Sequence, residues 1–216
     1  MRKQFDEQLL TLNRELTKMG ALCEEAIARA SKALTTGNTE LAREVKPLEG
    51  EIDRAERELE SLCLRLLLQQ QPVARDLRQI SAALKMITDM ERIGDQAADI
   101  ADIILQIKGE HAGEFQLIEQ MAEATIKMVT ESVDAYVKRD IDIASAAIRH
   151  DDRVDDYFDK IKQQLIDDIS KKPDIGEYAL DLLMIAKYLE RIGDHAVNIA
   201  EWVVFSVTGV HKGEKV

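Results

Sequence analysis

Two nearly identical segments of the sequence carry acidic residues at four-residue spacing. The segment ERIGDQAADIADI begins at Glu91, and ERIGDHAVNIAEW begins 99 residues later, at Glu190. On an α-helix, Asp95 and Asp99 lie about 40° and 80° around the axis from Glu91, because each residue advances about 100°. The acids therefore form one stripe along a helix. Carboxylate oxygens are ligands for hard cations such as Mg²⁺, Mn²⁺, Ca²⁺ or iron.

The second segment reproduces this stripe with Glu190, Asp194 and Asn198, so that an amide replaces the carboxylate of the first copy. Further upstream in each half, a second pair of acids has the same spacing. These aligned pairs are Glu49 with Asp53 and Asp151 with Asp155. Each half thus offers an acid pair on each of two helices, and two facing pairs could hold one ion or a small cluster.

Acids four residues apart on one helix face repel each other by about 0.2–0.5 kcal/mol per pair. In the two ERIGD segments, few cations lie at contact spacing to these acids on the same helix: Arg92 for Asp95, Arg191 for Asp194, and Lys187 for Glu190. Two interpretations remain open for these acids. They form either a solvated face of an acidic protein or a site in which a bound cation compensates their charge.

Gly94 and Gly193 interrupt the two segments, and each costs its helix about 1 kcal/mol relative to alanine. Their presence in both copies indicates close approach of a neighbouring helix, or room for an ion, at the level of the acids. A ferritin-type diiron centre would require Glu-x-x-His, which the four histidines do not provide. His195 is predicted to form an interhelical or surface hydrogen bond rather than to ligate a metal.

The elements that carry these residues are predicted to be long α-helices. Apolar residues recur at spacings of three and four almost throughout, and strand-like alternation is absent. Breakers near Gly37, Pro72, 108–114, Asp140 and Pro173 divide the chain into six helices of about 25–33 residues. Pro47 falls inside the second helical pattern, where it should either kink the helix or mark its true start.

The duplication extends beyond the acidic segments. Residues 36–53 align with 138–155 at an offset of 102, and Pro72 aligns with Pro173 at an offset of 101. The sequence therefore predicts an all-α fold of two tandem, duplicated three-helix bundles. The first bundle comprises residues 1–108 and the second residues 114–216, with a short glycine-containing linker between them.

Composition narrows the class of protein. Apolar residues make up 45%, charged residues 32%, and the net charge is −12, which disfavours binding to nucleic acid. No apolar run is long enough for a membrane span, and the charged N-terminus does not resemble a signal peptide. A cytoplasmic protein without direct membrane insertion is expected, with Cys23 and Cys63 as buried, reduced thiols.

With these motifs assembled, the chain resembles the PhoU family of phosphate-transport accessory proteins over nearly its whole length. Members are similar in having two tandem three-helix bundles with an acid-x-x-x-Asp motif on the second and third helices of each. Here those motifs are EGEID and ERIGD, then DDRVD and ERIGD. The resemblance implies a set of metal-ligand candidates on the acidic motifs: Glu49, Asp53, Glu91, Asp95, Asp99, Asp151, Asp155, Glu190, Asp194 and Asn198.

The resemblance also implies a function. Such a protein would curb phosphate uptake and restrain the phosphate-starvation response, as an adaptor between a phosphate ABC transporter and a sensor histidine kinase. It would form a homodimer, would reach the inner membrane only through its partners, and would bind iron, zinc, manganese or magnesium.

The leading hypothesis is accordingly a non-enzymatic, metal-binding adaptor, because no nucleophile or phosphate-binding loop is evident. One alternative is a hydrolase that uses clustered metals to activate water on phosphate esters. Another is a purely structural bundle whose acids confer solubility.

Overall fold

Helices account for all the regular structure in the described parts of the chain. The computed structural model describes residues 2–69, 73–107 and 115–210. The helices are α1 (Arg2–Thr36), α2 (Thr39–Arg43), α3 (Val45–Gln69), α4 (Ala74–Gln106), α5 (Gln116–Lys138), α6 (Ile141–Lys171) and α7 (Gly176–Thr208). A 3₁₀ turn, Pro173–Ile175, precedes α7. The predicted all-α fold with six long helices is confirmed, and the short α2 is an addition to it.

Pro47 explains why α2 is separate from α3. Proline has no N–H group, so Pro47 cannot donate a hydrogen bond to the carbonyl of Arg43 four residues earlier. The helix is interrupted at Glu44, and Pro47 lies in the first turn of α3. Of the two predicted consequences of this proline, the structure shows a new helix start.

The two halves enter their second helical stretch through matching turns. Gly37 has φ +67°, and the Asn38 side chain then accepts a hydrogen bond from the Glu40 amide at 3.1 Å. In the second half, Arg139 has φ +56° and the Asp140 side chain accepts from the amides of residues 142 and 143. A left-handed residue followed by a capping side chain is a common way to end one helix and begin the next.

The six long helices form two bundles that pack side by side. Helices α1, α3 and α4 contact one another, as do α5, α6 and α7. Between the halves, α1 lies on α5 and α4 lies on α7, which leaves α3 and α6 on the outside. The buried apolar side chains, including both cysteines, form one continuous core across both halves. None of the helices in the described ranges combines the length and apolar character that crossing a membrane requires.

The boundaries 1–108 and 114–216 stay a prediction. The joining segment 108–114 and the turn at Pro72 lie outside the described residues. Within the described ranges, each acidic motif lies where an outer helix crosses an inner one, at α3–α4 and α6–α7.

Candidate metal centre

In the first half, three carboxylates from two helices meet. Glu49 and Asp53 on α3 and Asp95 on α4 each offer one oxygen, and these oxygens lie within 4.8 Å of one another. A Cβ atom added at Gly94 would lie 2.9 Å from Cδ1 of Ile52, so the glycine lets α3 approach α4 closely. The close approach predicted for Gly94 is confirmed. It brings the acids that neighbour Ile52 and Gly94 in sequence together.

Basic side chains lie at the rim of this cluster. Nζ of Lys46 is 2.7 Å from Glu49, but Lys46 is 69% exposed while Glu49 is 15% exposed. Nη1 of Arg92 is 3.3 Å from Asp95, as its spacing predicted, and its Nε is 3.4 Å from Glu91. These cations offset part of the repulsion among the carboxylates, although exposed ion pairs of this kind contribute little to stability.

Burial and the neighbouring charges shift the pKa values of the carboxyl groups in this cluster. The pKa of Asp95 is raised, mainly by burial; Arg92 opposes this change, while Asp53 and Glu49 add to it by smaller amounts. The pKa of Glu91 is likewise raised, first by burial and then by Asp95. A raised carboxyl pKa means that the folded protein disfavours the charged form, and a bound cation would reverse that preference.

The second half places its acids at the corresponding crossing of α6 and α7. A Cβ at Gly193 would lie 3.3 Å from Oδ1 of Asp151 and 3.4 Å from Val154, so the predicted close approach is confirmed here too. Burial raises the pKa of Asp151 to about 6, and the charges of Asp155 and Asp194 reinforce the effect. The pKa of Asp155 is raised in the same direction by burial and by Glu190.

Lys187 makes the second cluster different from the first. Its ammonium group contacts Glu190, as the spacing predicted, and lies 5.4 Å from the ring centroid of Phe158. The pKa of Asp194 is raised by burial and by the charge of Glu190, and Lys187 opposes this change. The aligned position in the first half, 99 residues earlier, is Thr88. Among the described residues, only the first half has three acidic ligand atoms within 4.8 Å of one another.

The third residue of each stripe, Asp99 or Asn198, faces the other half of the molecule. Nδ2 of Asn198 donates to Oδ1 of Asp89 at 3.2 Å, across the α4–α7 contact. In the matching contact, the Tyr188 hydroxyl is hydrogen-bonded to Asp99, which raises the pKa of the tyrosine, although burial raises it more. The structure thus separates Asp99 and Asn198 from the tight cluster, and metal ligation by either stays a prediction.

His195 lies at the centre of the same contact. Its Nδ1 is 2.8 Å from Oδ1 of Asp89, and its Nε2 is 3.3 Å from Nε2 of Gln96. The prediction that His195 forms an interhelical hydrogen bond is confirmed. The sequence analysis missed Asp89, Gln96 and Tyr188, because only the packing of α4 on α7 gives them partners.

Spacing alone did not place Arg191 correctly, and the sequence analysis missed Lys46. Arg191 lies over the ring of Tyr188, 5.9 Å from its centroid, and acts on Asp194 at longer range. Lys46 precedes Glu49 by three residues, a spacing that predicts contact on a helix. That signal was available in the sequence for Lys46.

The donor set of the first cluster fits a hard cation. All three converging groups are carboxylates and none is a thiolate or imidazole, so oxygen-seeking ions are favoured over thiolate-seeking ones. The three residues are half-buried, and the pKa of one of them, Asp95, is raised mainly by burial and to a smaller extent by the other two. A bound cation would supply the positive charge that these side chains lack.

The fold and the sites together define a class: duplicated six-helix proteins with facing carboxylate pairs in each half. The family model described as the PhoU domain matches residues 16–104 and 118–203. The chain belongs to the PhoU family.

Relatives named phosphate-specific transport system accessory protein PhoU homolog match over almost the full length. The protein of Clostridium acetobutylicum is 36% identical, with 96% of each chain covered. The protein of Pseudomonas aeruginosa is 33% identical, with 96% of this chain and 86% of the relative covered. These names describe accessory proteins.

Crystal structures of two proteins have the same fold. PhoU from Pseudomonas aeruginosa superposes with a TM-score of 0.90 at 33% identity, covering 95% of this chain and 100% of the other. The phosphate transport system regulatory protein PhoU from Streptococcus pneumoniae gives a TM-score of 0.87 at 27% identity, covering 97% and 100%.

Proposed function

We propose that this chain is a non-enzymatic accessory protein of phosphate-specific transport that binds metal ions through its paired carboxylates. The names of its full-length relatives support the link to phosphate transport. The observation that carries the metal proposal is the convergence of Glu49, Asp53 and Asp95 from two helices within 4.8 Å. Three like charges at that distance are costly unless a cation is bound or protons are taken up.

In this proposal the ion tightens the crossing of the outer helix on the inner one. Without it, the carboxylates of α3 and α4 repel across a contact that the small Gly94 has made close. The second cluster is a weaker site in this proposal, because its described acids do not bring three oxygens within 4.8 Å of one another. Metal occupancy would therefore change the stability of the two halves unequally. Such occupancy would also alter the exposed surfaces of the outer helices, α3 and α6.

The proposal extends to regulation. When phosphate is plentiful, the protein restrains uptake and the phosphate-starvation response by contacting a phosphate ABC transporter and a sensor histidine kinase. It acts in the cytoplasm as a homodimer and reaches the membrane through these partners. Iron, zinc, manganese or magnesium occupies the carboxylates.

Metal binding is tested with metal-free protein titrated with Mn²⁺ by isothermal titration calorimetry. Asp53→Asn and Asp95→Asn should each weaken the tightest binding event by at least about tenfold, since each removes one charged ligand. Glu60→Gln is the matched control, because it removes one acid from an exposed position on the same α3 helix as Asp53. Equal binding by the parent and both Asn variants would reject the site.

Regulation is tested separately in cells that lack the endogenous protein. Expression of this chain should lower phosphate uptake in phosphate-rich medium and silence a phosphate-starvation reporter. Copurification with tagged transporter and kinase subunits tests the partners. If uptake and reporter are unchanged while Mn²⁺ binding is intact, the regulatory proposal fails and the metal site stands.

A further inference from the structure

A group of arginines lies where the end of α5 meets the beginning of α4. Arg75 and Arg78 belong to the first turns of α4, and Arg139 immediately follows α5. Nη1 of Arg139 donates to Oε1 of Gln79 at 3.3 Å, which fixes its guanidinium group against α4. Gln79 follows Arg75 by four residues, so the two share one helix face. The concentration of positive charge is notable on a chain whose net charge is −12.

The backbone of Arg139 gives independent evidence that this side chain has a role. Its φ is +56°, and it is the only residue other than glycine with positive φ in the described ranges. The aligned residue of the first half is Gly37, which has φ +67° and no steric cost in this conformation. The second half thus has an arginine in the strained left-handed conformation, at a position where glycine would form the same turn without strain. Strain of this kind is concentrated at functional positions.

The arginines have spare hydrogen-bonding capacity. A guanidinium group has five N–H donors. Nε of Arg78 is enclosed and has no hydrogen-bond acceptor among the described residues. The same side chain lies 3.6–3.7 Å from the position that a Cβ on Gly209 would take, at the end of α7. An enclosed donor without an acceptor is costly, and an anion would satisfy it.

The local charge balance favours an anion. The pKa of Arg139 is lowered, first by burial and then by Arg75, and Arg78 adds to the effect, while Tyr136 and Asp76 oppose it. Asp76 is buried and supplies one negative charge, which leaves the group of three arginines positive. Guanidinium groups do not lose their protons in proteins, so their mutual repulsion persists until a counter-charge arrives.

The start of α4 adds to this potential. The residue before the helix, Val73, forms no side-chain cap for the amides of the first turn. The first amides of a helix have no intrahelical acceptor, and together with the helix dipole they make such a position favourable for an anion. Together with the arginines, they provide charge and directed donors of the kind that bind phosphate.

We propose that Arg75, Arg78 and Arg139, with the first turn of α4, form a binding site for a phosphate-type oxyanion. The occupant is either inorganic phosphate or the phosphate group of a larger molecule. This site is separate from the carboxylate clusters and does not depend on metal binding. It would let the protein respond directly to the ion whose transport its relatives serve.

The experiment uses the full chain, freed of metal with EDTA, and measures binding of inorganic phosphate and of phenyl phosphate by isothermal titration calorimetry at constant ionic strength. Arg139→Gly and Arg78→Gln should each reduce affinity by about tenfold or more, because each removes charge-assisted donors. Arg14→Gln is the control, since Arg14 is an exposed arginine on α1 that pairs with Glu15. Its binding should equal that of the parent.

Arg139→Gly also keeps the proposal testable against misfolding, because glycine suits the left-handed turn. This variant should retain the parent's helical content and melting temperature while it loses the ligand. Binding of both ligands, or of inorganic phosphate alone, assigns the site to free phosphate. Binding of phenyl phosphate alone assigns it to a phosphate on a larger molecule. No binding of either ligand to the parent, equal binding by Arg139→Gly, or an effect reproduced by sodium chloride would overturn the proposal.

Discussion

Replacing Asp151 by asparagine should stabilise the metal-free protein at neutral pH. The Asp151 carboxylate is pressed against Gly193 of α7, and its pKa is raised from 3.8 to about 6. The full difference between these values corresponds to about 3 kcal/mol of unfavourable interaction of the charged form. Asp151 is only half-buried, so screening by solvent reduces the expected gain to about 1–2 kcal/mol.

The pH dependence of this effect has a definite sign. Below about pH 4, the folded and unfolded states both hold the proton, and the substitution should change stability little. As pH rises from about 4 to about 6, the unfolded chain releases the proton while the folded protein keeps it. The parent therefore loses stability across this window, whereas Asp151→Asn loses less. The difference between them should be fully present at pH 7.5.

The assay is urea unfolding followed by far-ultraviolet circular dichroism, in EDTA, at pH 4 and pH 7.5. Asp156→Asn is the matched control, because it removes one exposed acid from the same helix. Surface changes of that kind are usually within about 0.5 kcal/mol. If Asp151→Asn is no more stable than the parent at pH 7.5, or if the gain is equally large at pH 4, the electrostatic reasoning is refuted.

Three further outcomes are expected. Gly94→Ala should destabilise the protein by about 1–3 kcal/mol in urea unfolding, because the added Cβ would lie 2.9 Å from Ile52. Gly50→Ala is the control: Gly50 has open space around it, so this change should stabilise the protein by up to about 1 kcal/mol. Equal effects of the two substitutions would refute the close approach. Lys187→Met should strengthen Mn²⁺ binding at the second cluster by at least about tenfold in calorimetry, because it removes a competing cation. Lys171→Met, which replaces an exposed lysine on α6, serves as the control. Asp140→Ala should lower the free energy of unfolding by about 1 kcal/mol by removing the cap of α6, while Asp142→Ala, which leaves the cap in place, should cost less.

Much of the fold followed from local rules in the sequence. Helical periodicity, the repeat and the two glycines were sufficient to predict six long helices and close crossings at Gly94 and Gly193. The separation of α2 followed from Pro47, although its length did not. That Glu49 and Asp53 could face Asp95 was one of two interpretations left open by the sequence, and the structure brings these three acids together.

The remaining contacts of the site depend on how each helix is oriented about its own axis relative to its neighbours. Angles around a single helix place Asp95 and Asp99 on one stripe, about 40° apart. That rotation is enough to direct Asp99 toward Tyr188 of α7, while Asp95 faces α3. No pattern within α4 reveals which neighbour lies at each angle. The contacts of Asp89, Gln96 and Asn198 were out of reach for the same reason.

Duplication supplied two equal sets of acids, and the charge that compensates them has since diverged. In the first half, three carboxylates converge, and the exposed Lys46 and Arg92 at the rim pair with Glu49 and Asp95 and offset part of their repulsion. In the second half, Lys187 is held against Glu190 and Phe158, where it partly offsets the same repulsion from within the chain. A protein that needed only solubility from its acids would have no reason to place facing acid pairs at both helix crossings. This asymmetry would be explained if the first crossing binds a cation from solution, while the second uses the ammonium group of Lys187 instead.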